Sequence, residues 1–346
     1  MATADRADRL NEPVAAARPT IRGRSLTSDA LSRLCRNRAA MIGAAIVVLN
    51  IVAALLAPQL APRAFDDADL LSCNAAPRWM TQVIPAMKPR DAGGYVKVDN
   101  RYPLGADANG RDLLSRILYG ARISLAVALM GPVISVAIGF TVGLLSGYAG
   151  GRIDNLLMRF VDVMYAFPTM LLIVLLMAFF RAAGPQAPGS FGYALSRLDK
   201  SMGGLLFIFV GIGLTAWMGA ARLVRGQVLS VREQEYVLAA RALGARPRGI
   251  ILRHILPNVA GPLIVTETMA IPGYISYEAF LSFIGLGVNP PTPSWGSMIS
   301  QGAPVIQTYP NQALLPALAL FLLMFAFNFL GDGLRDALDP TMRGRK

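Results

Sequence analysis

Six long stretches of this 346-residue chain carry almost no charge: Ala39 to Ala57, Ile123 to Gly147, Leu156 to Phe180, Met202 to Ala221, Val259 to Ile284 and Ala313 to Leu330. A helix rises ~1.5 Å per residue, so ~20 apolar residues cross the ~30 Å hydrocarbon layer of a bilayer. Lipid offers no partner to a backbone N–H or C=O, which leaves the helix as the structure a single apolar segment adopts there. The composition agrees: 54% of the residues are hydrophobic and 16% charged, against roughly a quarter charged in soluble domains. The expected fold class is an all-α integral membrane protein with six transmembrane helices. The first stretch exceeds the ~7 to 15-residue apolar core of a signal peptide and follows a polar segment, so it reads as a retained span, 39–58.

Arginine and lysine collect in the cytoplasmic loops of such proteins. Arg22, Arg24, Arg33, Arg36 and Arg38 precede the first span, and Arg335, Arg343, Arg345 and Lys346 follow the last. Between the fourth and fifth spans lie Arg222, Arg225, Arg232, Arg241, Arg246, Arg248 and Arg253, whereas Val288 to Gln312 carries no formal charge. The N-terminus and C-terminus are therefore expected in the cytoplasm, and 288–312 outside. The net charge of +12 sits at membrane edges. Lipid headgroups account for it there, so membrane lipid is an expected partner and nucleic acid is not. Cys35 and Cys73 fall on opposite sides of the bilayer, which excludes a disulfide between them.

The chain divides simply. Residues 1–38 form a cytoplasmic tail, disordered over Met1 to Thr20 and closing in a short amphipathic helix within Ile21 to Arg38. Residues 59–104 are a Pro-rich external insertion, too short for an independent domain. Three roles stand open for it: a cap on the outer mouth, a contact for an external partner, or a plain surface loop. The body, 105–334, contains a basic non-spanning segment, 222–258, and 335–346 is a cytoplasmic tail.

Catalysis by this chain has little to work with. Its single histidine, His254, cannot build a histidine metal cluster or an HExxH helix. None of Lys88, Lys97, Lys200 and Lys346 follows a glycine, so there is no phosphate loop, and no GxSxG elbow occurs. No metal and no cofactor is expected in this chain. Transport remains, and ionisable residues within spans are its first markers. Arg159 and Asp162, one helical turn apart, are expected to form a structural ion pair. Glu278 is expected at the outer interface. Glu267 lies deeper, with no basic neighbour in sequence; it either lines a translocation path or hydrogen-bonds an adjacent helix. Gly139, Gly143 and Gly147 share one helix face and permit close backbone approach. Pro132, Pro168, Pro272 and Pro316 interrupt span hydrogen bonding, which suits a gated cavity. A gradient-driven secondary transporter using Glu267 as its buried acid is one rival reading.

The basic segment reads REQEYVLAARALGARPRGIILRHILPN, Arg232 to Asn258. Val231 to Leu243 is expected to be helical, with Gly244 in the left-handed position after it and Pro247 opening a second helix. Pro257 is expected to re-aim the chain into the fifth span. Ala239, Ala240 and Ala242 make the first helix thin, and Ile250, Ile251, Ile255 and Leu256 give the second an apolar stripe. On composition alone an ordinary basic interfacial turn explains it equally well.

The order LAARALG followed by RHILPN resembles the coupling loop of permease subunits of bacterial ABC importers, whose motif is Glu-Ala-Ala, then a glycine, then Ile-x-Leu-Pro. Three further segments, YPLGADANGRDLLSRILYGARISL, YEAFLSFIGLGVNPPTPSWGSMI and FNFLGDGLRDALDPTMR, resemble the oligopeptide and dipeptide permease C family, as does IRGRSLTSDALSRLCRNRAA before the first span. The resemblance runs from Arg22 to Arg343 without the external insertion. It implies a type I ABC importer permease fold in the bacterial inner membrane and import of peptides. The partners it implies are a homologous B-type permease, two cytoplasmic ATPase subunits that bind ATP and Mg, and an external peptide-binding protein. It also implies that Glu235, Ala239, Ala240 and Gly244 contact an ATPase and that Pro257 passes motion to the fifth span. Two positions depart from the motif: Leu238 stands where the glutamate is expected, and His254 where the isoleucine is. Glu235, three residues earlier on the same helical face, is the candidate replacement for the missing carboxylate. Chelated nickel and glutathione are alternative cargoes within the family.

Overall fold

The computed structural model describes residues 26–182 and 190–338. The expected disordered segment, Met1 to Thr20, and the last residues of the C-terminal tail, 339–346, lie outside the described residues. Asn37 separates α1 (Leu26–Arg36) from α2 (Arg38–Leu55), the first span, by accepting the Ala40 N–H at 3.2 Å. This satisfies one of the donors a helix leaves open at its start. One turn, α3 (Ala57–Leu60), leads into the insertion, which holds the short α4 (Arg78–Val83). Next, α5 (Leu113–Ala149) begins at Asp112, whose carboxylate accepts the Ser115 N–H at 2.7 Å. Its 37 residues make a helix of about 55 Å, longer than a bilayer core, so it tilts or projects.

The third span departs from expectation. In place of one helix over Leu156 to Phe180 stand α6 (Gly151–Tyr165) and α7 (Thr169–Ala182), which meet at 78°. Pro168 lacks an N–H and disfavours helical geometry at Phe167, and the ladder parts there. Then follow α8 (Phe191–Ser201) and α9 (Leu205–Arg232), which continues as helix well past the expected end of the fourth span at Ala221. After it come α10 (Glu235–Ala242), α11 (Pro247–Ile250), a π turn (Ile251–Ile255) and α12 (Leu256–Phe283). Pro257 does not redirect the chain: Pro247 to Phe283 is one unbroken helical run. The π turn leaves Pro257 in the first turn of α12, where a missing N–H disrupts little. Last come α13 (Trp295–Gly302), opened by a Ser294–Ser297 capping box, and α14 (Asn311–Leu338). Among the described residues five helices are long and apolar enough to span, and six spans result when the bent pair counts as one.

Parallel α5 and α9 form the spine of the bundle, with Gly139 beside Ala220, Gly143 beside Ala221 and Val224, and Gly147 beside Val228. A Cβ on Gly143 would stand 2.5 Å from the Ala221 carbonyl oxygen, so hydrogen alone fits. Antiparallel α2 and α14 pair through Ala40 beside Gly333 and Gly43 beside Ala326. Near the opposite end of α2, Arg122 of α5 donates to the Ala54 carbonyl at 2.6 Å. Consequently the start of α2 and the ends of α5, α9 and α14 share one end of the bundle, together with α10.

The insertion folds back on the chain's own segment between the fifth and sixth spans. Ala76, Met80, Met87 and Val96 are buried and pack against Tyr309 and Leu315. Gln312 donates to Asn74 at 2.7 Å, Asn311 to the Leu104 carbonyl at 3.0 Å and the Tyr95 hydroxyl to the Thr308 carbonyl at 3.1 Å. Within it, Asp99 takes a side-chain hydrogen bond from Arg101 at 2.6 Å, which holds its carboxyl down at about 2.

Candidate functional site

Three groups of residues carry the chemistry of this bundle, and the segment between α9 and α12 is the most exposed of them. Val237 is the buried residue of α10, and it packs with Val228, Val231, Ile250 and Ile255. On the other face Glu235, Leu238 and Ala239 are exposed, while Ala240 is half-buried. An eight-residue helix is marginal by itself, and one buried valine stabilises it by only about 2 kcal/mol, so α10 is held lightly. It ends in a Schellman motif: the Gly244 N–H meets the Arg241 carbonyl and the Ala245 N–H the Ala240 carbonyl, both at 3.0 Å. Gly244 has φ +79° with open space around its Cα, so left-handed geometry, not crowding, requires glycine there.

The expected helix, tight turn and helix are present, with α10 starting at Glu235 instead of Val231 because α9 runs on to Arg232. Leu243 lies 89% exposed at the tip of the turn. His254 sits against the Tyr236 ring at 5.8 Å between centroids, and Asn258 donates to the Tyr236 hydroxyl at 3.3 Å, joining α10 to the foot of α12. Pro257 is exposed in that foot. Arg241, Arg246, Arg248 and Arg253 are exposed too, and among the described residues none of them forms a salt bridge. The surface presented is thus thin and apolar at Leu238 and Ala239, with Glu235 at one end and four cations around it.

A second group ties the same end together, and it corrects an expectation. Asp162 does not pair with Arg159; its partner is Arg222 of α9, at 2.6 Å, with the guanidinium also 4.0 Å from the centroid of the Tyr165 ring. Asp154 holds Arg225 through two bonds of 2.6 and 2.7 Å and accepts a further hydrogen bond from Ser146. Arg232 donates to the Gly147 carbonyl at 3.0 Å. Sequence reasoning missed the Asp154 and Arg225 contact. Its signal was present as three arginines along one span end and two acids eight residues apart in α6, but their pairing depends on α6 lying beside α9.

The third group lies inside the spans. Glu267 is 5% exposed, with Ser135 of α5 donating to Oε1 at 2.8 Å and Tyr274 to Oε2 at 2.9 Å. The Ser135 hydroxyl also lies 3.1 Å from the Ala216 carbonyl, so α5, α9 and α12 meet at one polar point. Glu278, expected at the outer interface, is instead fully buried and accepts the Ser282 hydroxyl at 2.6 Å. The chain from Gly285 to Gly302 folds back over this end of α12 and takes Glu278 out of solvent. Among the described residues no three His, Cys, Asp or Glu side chains cluster as metal ligands.

Comparison with known proteins gives this geometry a family. Residues 139–344 match the model of binding-protein-dependent transport system inner membrane components, and residues 25–77 that of the N-terminal membrane domain of oligopeptide transport permease C. The oligopeptide transport system permease OppC of Haemophilus influenzae is 39% identical over 97% of this chain and 94% of its own length. The dipeptide permease DppC of Bacillus subtilis is 39% identical over 92% of this chain and 87% of its own. The glutathione transport system permease GsiD of Pectobacterium atrosepticum is 39% identical over 74% and 81%. The chain is therefore a multi-pass inner-membrane protein with the type I importer permease fold, and it belongs to the binding-protein-dependent transport system inner membrane components, in the oligopeptide and dipeptide permease C branch.

Proposed function

We propose that this chain forms one half of an ATP-driven pathway that imports short peptides, and that α10 with its following turn is the handle through which a cytoplasmic ATPase moves the bundle. The observation that carries this reading is the exposed face Glu235, Leu238 and Ala239 on a helix held by Val237, followed by an unbroken helical run from Pro247 into the span that bears Glu267. Force applied to α11 travels along that run, past Pro257, with no loop to absorb it. Two ATPase subunits bind and hydrolyse ATP with Mg, a homologous B-type permease supplies the other half of the pathway, and an external binding protein delivers the peptide. Coupling requires that the handle make different contacts in the two states of the ATPase pair.

In this scheme Glu235 supplies the carboxylate that Leu238 lacks, Ala239 and Ala240 allow close approach, and Gly244 sets the turn. Glu267 opens onto the pathway when the polar point it shares with Ser135 and Tyr274 separates. The test is reconstitution of the chain with its partner permease, ATPases and binding protein in vesicles. Peptides accelerate ATP hydrolysis and accumulate inside, and Glu235→Ala abolishes that acceleration while the complex still assembles. Unchanged peptide-driven ATP turnover in Glu235→Ala overturns the role of Glu235. The identity to a glutathione permease supports a second cargo, and acceleration by glutathione but not by peptides selects it. Uptake that survives removal of ATP but not of an ion gradient points to the secondary-transport reading instead.

A further inference from the structure

A groove of about 560 Å³ opens between α2, α5, α12 and α14, away from the handle and the buried acids. Val47, Ile51, Leu55, Leu125 and Leu129 are among its walls, and Arg122 is the single polar side chain that lines it. Leu55 and Leu129 are 69% and 66% exposed, so the groove faces the surroundings of the bundle and not its core. Arg122 lies beside the last turn of the first span, next to the start of the insertion, which on the expected topology is the outer edge of the apolar layer. Its Nε donates to the Ala54 carbonyl at 2.6 Å and its Nη2 to the Leu55 carbonyl at 3.4 Å, covering the last carbonyls of α2. The guanidinium is 4.9 Å from the centroid of the Tyr119 ring. Its Nη1 donates no hydrogen bond among the described residues, and no carboxylate there forms a salt bridge with it.

A cation at the edge of hydrocarbon is costly unless an anion neutralises it. The free donors of a guanidinium match the oxygens of a phosphate, which can take two of them side by side. Below the cation, an apolar trough wets poorly, because water needs two or more polar partners to settle. A helix from another subunit would fill the trough but would have to bring a carboxylate of its own to Arg122. One class of molecule in a bilayer carries both complements, an acyl chain joined to a phosphate. We propose that this groove seats one acyl chain of an outer-leaflet phospholipid, with Arg122 binding its phosphate and selecting headgroups of net negative charge. The lipid fills the space between α2 and the other three helices and so fixes the first span against the bundle.

The test uses the full-length chain with its co-purifying subunits, released from mild detergent into a native mass spectrometer with equal amounts of phosphatidylglycerol and phosphatidylethanolamine. The wild type retains one phospholipid and prefers phosphatidylglycerol by about fivefold, the factor expected of one basic side chain. Arg122→Gln retains lipid without that preference, and Arg122→Lys restores most of it, which separates recognition from a loss of folding. Leu129→Trp, on an exposed groove wall, lowers retention of either lipid. Inorganic phosphate leaves the bound lipid in place. Equal retention of the two lipids by the wild type, an undiminished preference in Arg122→Gln, unchanged retention in Leu129→Trp, or displacement by inorganic phosphate overturns the proposal.

Discussion

Asp154, in the first turn of α6, receives two hydrogen bonds from Arg225 of α9, Nε to Oδ1 at 2.6 Å and Nη2 to Oδ2 at 2.7 Å. Two parallel bonds of this kind are the strong form of an arginine and carboxylate contact. Ser146 of α5 donates to the same carboxylate, so one acid joins three helices at the end of the bundle that carries α10. A span bent at 78° has no continuous backbone ladder to hold its first half, and side chains take over that task.

Arg225→Ala should destabilise the purified chain by about 1 to 3 kcal/mol, the range for a hydrogen bond to a charged group whose partner is left behind. Thermal unfolding in detergent reads this as a lower midpoint. Reversing the pair, with Asp154→Arg and Arg225→Asp together, should recover part of the loss. No recovery would mean that the loss came from packing of the arginine stem.

Gly143→Leu should prevent assembly of a folded bundle. Its Cβ would already lie 2.5 Å from the Ala221 carbonyl, and the α5 backbone has nowhere to retreat along the spine. Loss of full-length protein from the membrane fraction is the readout. Gly226→Leu, on a neighbouring helix with open space at its Cα, serves as the control and should accumulate normally.

Gly244→Ala should cost about 1 kcal/mol locally, because an L-residue at φ +79° is strained even in open space. Fraying of α10 follows, seen as faster amide exchange over 235–242. Gly249→Ala, equally uncrowded and without a positive φ, should leave exchange unchanged. Equal exchange in the two variants would show that crowding and φ are both irrelevant at the turn.

The insertion should be sensitive to acid in a narrow window. The side-chain hydrogen bond from Arg101 is the main cause that holds Asp99 at about 2, below the ordinary 3.8. A lowered carboxylate stabilises the fold above its unfolded value and loses that contribution as pH falls through the folded one. Amide protection over 72–101 should hold steady down to pH ~4 and weaken between ~4 and ~2. Asp99→Asn should weaken it at neutral pH and remove the dependence on acid.

Much of this molecule is legible before folding. Pro168 and Pro257 are both visible prolines, yet one parts a span and the other sits harmlessly in a first turn, since a π turn upstream had already widened the ladder. The spacing of Arg159 and Asp162 suggested a local pair, but a neighbour 60 residues away, Arg222, lies closer once α6 and α9 are side by side. Glu278 looked exposed because the segment that covers it, Gly285 to Gly302, follows it in the chain and nothing local announces that it turns back. For Glu267 the contact with Ser135 of α5 was equally hidden.

The sequence by itself determined which segments are apolar enough to enter a bilayer and that Gly244 ends α10. Those are sums and preferences over neighbouring residues, and they need no knowledge of distant ones. Tertiary structure alone decided which acid meets which arginine, which carboxylates are sealed from solvent, and where an apolar groove opens beside a lone cation. Hydrogen bonds and close packing act over a few ångströms, so their partners exist only after helices far apart in the chain have been brought together.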